Sequence, residues 1–109
     1  MHELSIAESV VEAVLERTGN LPVTTVRLRV GRLSGVVPDA LLFCFELATE
    51  GTPLQGADLQ IDAPEGRGHC RDCQSDFILA DLVLLCHCGS ADVDVVAGRE
   101  LQVMSVEMV

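Results

Sequence analysis

Two clusters of side chains in this sequence could do chemistry, and both are built to hold a cation. The first is Cys70-Arg71-Asp72-Cys73, followed after twelve residues by Cys86-His87-Cys88-Gly89-Ser90. Tetrahedral Zn(II) takes four thiolate or imidazole ligands, with sulfur at about 2.3 Å. A Cys-x-x-Cys turn presents two sulfurs one tetrahedral edge apart, and a second turn supplies the other two. Here the second pair is compressed, with one residue between Cys86 and Cys88. His69 and His87 flank the thiols and are candidates to enter the ligand set. A rubredoxin-like iron site or dithiol redox at Cys70 and Cys73 are the other chemistries open to four thiols. The second cluster is Met1-His2-Glu3. With Met1 retained, its amine, the amides of His2 and Glu3 and the His2 imidazole can form adjacent chelate rings. Square-planar nitrogen coordination suits Ni(II) or Cu(II). The plain alternative is a terminal histidine with no role.

Composition narrows the partners. The chain has 109 residues, 17 acidic against seven arginines and no lysine, for a net charge of −10. Phosphate binding needs clustered cations, so nucleic acid and anionic membrane surfaces are excluded as expected partners. A metal cation or a basic protein surface remains compatible. No basic-then-apolar leader and no run of ~20 apolar residues is present, so a cytoplasmic protein is expected. In a reducing compartment paired cysteines more often hold metal than form disulfides. No nucleophile-base set, P-loop or dinucleotide fingerprint is present, so no enzyme is expected.

The elements that must position these residues follow from periodicity. Ile6, Ala7, Val10, Val11, Val14 and Leu15 recur at helical spacing over about residues 4–17, with Glu8, Glu12 and Glu16 opposite. Ser5 and Glu8 fit a capping box, though the helix could equally begin a residue or two earlier. Residues 23–30 alternate as a half-buried strand, with Val26, Leu28 and Val30 on one face. Pro38 opens a second helix that runs to about Glu50, with Asp39 serving the helix dipole and Cys44 a small packed residue. A second strand spans about 57–63. Pro64-Glu65-Gly66-Arg67-Gly68 reads as a boundary, and the cysteine module follows. Within it, residues 77–79 and 93–96 could be short strands. Residues 101–109 form a third strand, with Met104, Val106 and Met108 on one face and Val103, Ser105 and Glu107 on the other. The expected class is α+β: two helices packed on a three-stranded mixed sheet, with an inserted small zinc-ribbon-like module. Residues 1–66 plus 98–109 form the α+β domain, and 67–97 the module. That module is too small to hold itself together by burial, so a metal must supply its folding free energy.

Several stretches coincide with one family. The chain opens Met1-His2-Glu3-Leu4-Ser5-Ile6-Ala7 and continues Val26-Arg27-Leu28-Arg29-Val30-Gly31-Arg32-Leu33-Ser34-Gly35-Val36. Phe45-Glu46, the paired cysteines, Cys88-Gly89-Ser90 and Gly98-Arg99-Glu100-Leu101 follow in order. Over nearly its whole length this pattern resembles the HypA/HybF family of hydrogenase nickel-incorporation proteins. The resemblance implies a nickel metallochaperone for [NiFe] hydrogenase maturation, working with a HypB-type GTPase and the hydrogenase large subunit, as a monomer or weak homodimer. It implies nickel at the N-terminus, through His2, the Met1 amine and Glu3 by backbone or side chain. It implies structural zinc on Cys70, Cys73, Cys86 and Cys88. The family's third cysteine would fall at Leu85, and Cys86 is its substitute. The competing readings are a zinc-ribbon interaction module without nickel function and a small rubredoxin-like redox protein.

Overall fold

The computed structural model describes residues 2–109. Eight elements follow in order. They are helix α1 (Glu3–Thr18), strand β1 (Val23–Val30), helix α2 (Pro38–Thr49) and strand β2 (Asp58–Asp62), then β3 (Gly66–Cys70), β4 (Asp76–Leu79), β5 (Val93–Ala97) and β6 (Leu101–Met108). They build two three-stranded sheets. The first has the order β2-β1-β6, with β1 parallel to β2 and antiparallel to β6, so it is mixed. The second, β4-β3-β5, is wholly antiparallel.

The first sheet carries both helices, because every apolar side chain of β1 points one way. Val23, Val26, Leu28 and Val30 are buried, and they meet Ile6, Ala7, Val10, Val11 and Val14 of α1 and Leu41 and Phe45 of α2. On the opposite face Arg27 donates to Gln60 and Arg29 pairs with Asp62 across the β1–β2 register. Glu8, Glu12 and Glu16 stand exposed, as the helical period requires. Among the described residues no helix is long and apolar enough to cross a membrane. The α+β layer with an inserted cysteine module is therefore as expected.

Three local expectations are corrected. Helix α1 starts at Glu3 with His2 as its N-cap and no side-chain cap bond, so the Ser5–Glu8 capping box does not form. Ser5 lies inside the first turn, three residues past the N-cap position that the box requires. The Gly66–Gly68 stretch is not a break but part of β3. A side chain at Gly68 would press on Val93, Leu79 and Phe77, so this strand needs small residues where β propensity asks for large ones. In β6 a register shift pairs Leu28 with Val103 and Val26 with Val106. Met104 is the extra residue, and Val103 joins Val106 on the helix-facing side rather than opposing it.

The two sheets meet at a tight joint. Leu33 N–H donates to the Gly98 carbonyl at 2.7 Å, Gly31 N–H to Glu100 at 2.8 Å and Arg32 N–H to Pro64 at 3.0 Å. The loop after β1 thus grips both chains that pass to and from the module. Gly98 has φ +108°, and a Cβ there would lie 2.6 Å from Gly66 Cα. Close backbone approach explains these glycines.

Candidate metal centres

Residues 70–88 bring four sulfurs together. Cys70 ends β3 and Cys86 follows a loop; both are buried, while Cys73 and Cys88 are exposed. All four Sγ atoms lie within 4.8 Å of one another. Cys70 Sγ stands 3.7 Å from Cys88 Sγ, and Cys73 Sγ stands 3.6 Å from Cys86 Sγ. The edge of a tetrahedron with 2.3 Å metal–sulfur bonds is about 3.8 Å. The donor set and its spacing therefore fit a zinc-sized thiophilic ion.

Two turns make this possible. Gln74 N–H donates to the Cys70 carbonyl and Cys70 N–H to Ser75, each at 2.9 Å. In the compressed knuckle, Gly89 N–H donates to the Cys86 carbonyl and Cys86 N–H to Ser90, again at 2.9 Å. Gly89 sits at φ +95°, so the turn closes one residue beyond Cys88. That is how one intervening residue suffices. Around the turns, Arg71 Nε donates to Asp94 at 2.9 Å and Nη1 to Asp92 at 3.2 Å, and the Ser90 hydroxyl donates to Asp72. These bonds lace the first knuckle to β5 and to the second knuckle. Arg71 and Ser90 lie within the cysteine stretches and Ser75 beside them, but the sequence pattern gave none of the three a role; the folded register supplies it.

The electrostatics call for a cation. The Ser75 hydroxyl stands 3.2 Å from Cys73 Sγ. With the Ser75 amide, it pulls the Cys73 thiol down to about 6. The Ser90 amide favours the Cys88 thiolate, but the neighbouring Cys86, burial and the other two sulfurs push Cys88 up to about 12. Cys86 has help from the Cys88 amide, yet burial and its neighbours raise it too. One thiolate forms readily, and further charge needs a metal to neutralise it.

Neither histidine belongs to this cluster. His69 Nδ1 lies 2.6 Å from Asp76 and Nε2 lies 3.2 Å from Gln74, so both ring nitrogens are engaged. The Asp76 carboxylate raises the His69 pKa, which favours the protonated form that cannot ligate. The His87 ring packs edge-on to Phe77, with centroids 6.2 Å apart.

The other cluster is differently made. His2 is exposed at the start of α1, in an extended conformation, and its carbonyl accepts the Ile6 N–H at 3.1 Å. Its side chain borders a groove with Ser5, Ile6, Ser9, Leu101 and Val103. The first amides of a helix have no carbonyl partner within it, and those of His2 and Glu3 are at that end. The half-buried Glu3 has its carboxylate 3.4 Å from the Val37 amide, which donates to it. Met1, expected to supply the amine, lies outside the described residues.

A family model described as "Hydrogenase/urease nickel incorporation, metallochaperone, hypA" matches residues 1–108. The chain is 48% identical to the hydrogenase maturation factor HypA of Geotalea uraniireducens over 109 residues, 99% of each chain. It is 46% identical to that of Chlorobaculum tepidum, covering 96% of each. Among solved structures, the nickel metallochaperone HypA from Helicobacter pylori superposes with a TM-score of 0.69 at 25% identity, over 99% of this chain and 97% of that one. The whole chain is matched and not merely its cysteines, so it belongs to the HypA family of nickel-incorporation metallochaperones, which are maturation factors and not enzymes.

Proposed function

We propose that this chain binds Ni(II) at its N-terminus and helps insert it into [NiFe] hydrogenase, while a zinc ion on Cys70, Cys73, Cys86 and Cys88 holds the module together. The observation that carries the reading is the helix start beside His2. The amides of His2 and Glu3 precede the first helical hydrogen bond, so a metal can displace their protons without breaking one. The Met1 amine and the His2 imidazole complete four nitrogens. Because the Glu3 carboxylate is occupied by the Val37 amide, Glu3 contributes its backbone nitrogen. Nickel leaves when a competing ligand or acid reprotonates the amine and imidazole. Zinc, when bound, supplies cross-linking between the two knuckles. The thiols select a soft ion and the nitrogens a square-planar one, which keeps cargo and structural metal apart.

In this reading the partners are a HypB-type GTPase, which supplies any nucleotide hydrolysis, and the hydrogenase large subunit. The chain works in the cytoplasm as a monomer or weak homodimer, without nucleic acid or membrane. His2→Ala should weaken nickel binding about 100-fold or more in calorimetry, with zinc content unchanged. Acetylating the Met1 amine should do the same. Stoichiometric tight nickel in either form would sink the site. Zinc alone, with no nickel uptake by the unmodified protein, would leave an interaction module. A red iron protein would point to redox instead.

A further inference from the structure

We propose that the outward side of the two helices is a docking surface for a basic amphipathic helix of a partner protein. The proposal stands apart from the nickel reading, because none of its residues is a proposed metal ligand. Helices α1 and α2 lie side by side and run the same way: Glu3 bonds Val37 where they start, and Leu15 and Ala48 share a groove where they end. Buried Val11 and half-buried Leu15 and Ala48 line that groove. Its α2 side is apolar and uncovered. Phe43 and Leu47, one helical turn apart, are 63% and 48% exposed, with Leu42 beside them. Phe45, two residues on from Phe43, is buried in the core. An exposed aromatic ring beside an apolar groove is the kind of anchor that dominates helix-in-groove interfaces.

Charge selects the occupant. Glu8, Glu12 and Glu16 rim the groove at successive turns of α1. Asp39, Glu46 and Glu50 stand exposed along or just past α2, beside Phe43 and Leu47. Among the described residues none of these six makes an ion pair, and Arg17 is the one cation on either helix. The helix dipoles add to the effect. Because the helices run the same way, their last carbonyls share one end, and α2 has no basic residue in its last turn. A helix with an apolar stripe flanked by lysine and arginine answers both features. Its stripe fills the groove and covers Phe43 and Leu47, while its cations lie between two rows of carboxylates. A second copy of this chain does not fit, since it sets the same carboxylates against one another, and an anionic membrane is repelled in the same way.

The probe is a synthetic, end-blocked peptide of about 20 residues, long enough to hold a helix, with a leucine stripe flanked on both sides by lysines. Fluorescence anisotropy reads its binding to the zinc-loaded full chain over a salt series. Micromolar binding that weakens with salt is expected. A peptide of the same composition with the stripe scrambled should bind at least about tenfold more weakly. Phe43→Ala with Leu47→Ala should cost at least about tenfold. Glu8→Gln with Glu12→Gln should cost several-fold and flatten the salt dependence. Glu65→Gln with Glu107→Gln removes the same charge from elsewhere and should change affinity by less than about twofold. Every substituted side chain is exposed, and those within helices become good helix formers, so the fold is retained. No binding by the wild type overturns the proposal. So does equal binding of the scrambled peptide, equal loss in the two glutamine pairs, or indifference to Phe43→Ala with Leu47→Ala. Each of the last three leaves only the diffuse attraction of a cation to an acidic protein.

Discussion

The two clusters differ in how much protein stands behind them. Cys70 and Cys86 are buried, closed in by two turns and laced through Arg71, Asp92 and Asp94. His2 is exposed, and beyond the start of α1 little holds it. A pocket whose ligands are pre-set and partly desolvated releases an ion slowly, because release leaves several thiolates repelling one another. A chelate at an exposed helix start loses its ligands one proton at a time. The contrast suits a metal that stays and a metal that is handed on.

The largest test removes the metal from the sulfur end. The module's buried cluster is small: Cys70, Cys86 and Val93, with Phe77 and Leu84 against it. Structural zinc supplies about 10–16 kcal/mol in small metal-folded domains. Chelation or Cys86→Ala should therefore unfold residues 66–97 while the first sheet persists. Amide exchange would show protection lost in β3, β4 and β5 and kept in β1. If both sheets open together, the two regions are one folding unit.

The joint between them comes next. In Gly98→Ala the new methyl meets Gly66 Cα, and φ +108° is strained for any side chain. The cost should be about 2–4 kcal/mol, read from chemical denaturation. A neutral result would mean the two sheets are loosely hinged.

Acid should then separate the two ends by slope. At pH 7 Cys73, held near 6, is already a thiolate. Cys86 and Cys88, both raised, carry protons that zinc must expel. Each proton that zinc expels implies about tenfold weaker zinc binding per pH unit lowered. The slope should steepen below about 6, where Cys73 also takes up a proton. In the metal-free protein the lowered Cys73 pKa works the other way round from the raised pair. Its contribution to stability is present above its unfolded value and is lost as pH falls toward about 6. Calorimetry in buffers of different ionisation enthalpy counts the protons.

The smallest effect belongs to Glu3→Ala. Removing a carboxylate at a helix start and its bond to Val37 should cost about 0.5–1 kcal/mol. Nickel affinity should change only a few-fold, measured beside His2→Ala. A loss as large as that of His2→Ala would make the carboxylate a ligand and remove the division of labour proposed for Glu3.

Where the period of the side chains carries the information, the reading from residues holds. The alternation of β1 and the apolar face of α1 put Val26, Leu28, Val10 and Val14 in the core as expected. The four cysteines meet despite the compressed knuckle. The misses have local causes. The bulge at Met104 inverts the phase of β6, and a bulge has no compositional sign in Val103-Met104-Ser105. Strand β3 hides because its glycines reflect close neighbours in space and not preference in the chain.

From its residues alone the chain declares what kinds of ion it could hold and which elements carry the donors, because ligand chemistry and hydrophobic period are properties of short stretches. Folding decides how the second knuckle closes at Gly89 and that His69 is tied to Asp76 and not to the sulfurs. It also decides that Gly31, Gly66 and Gly98 meet at one joint. The joint depends on residues remote in the chain, whose distances are set only when both sheets have formed, while the knuckle and the His69 pairing depend on local backbone geometry that residue type alone does not fix.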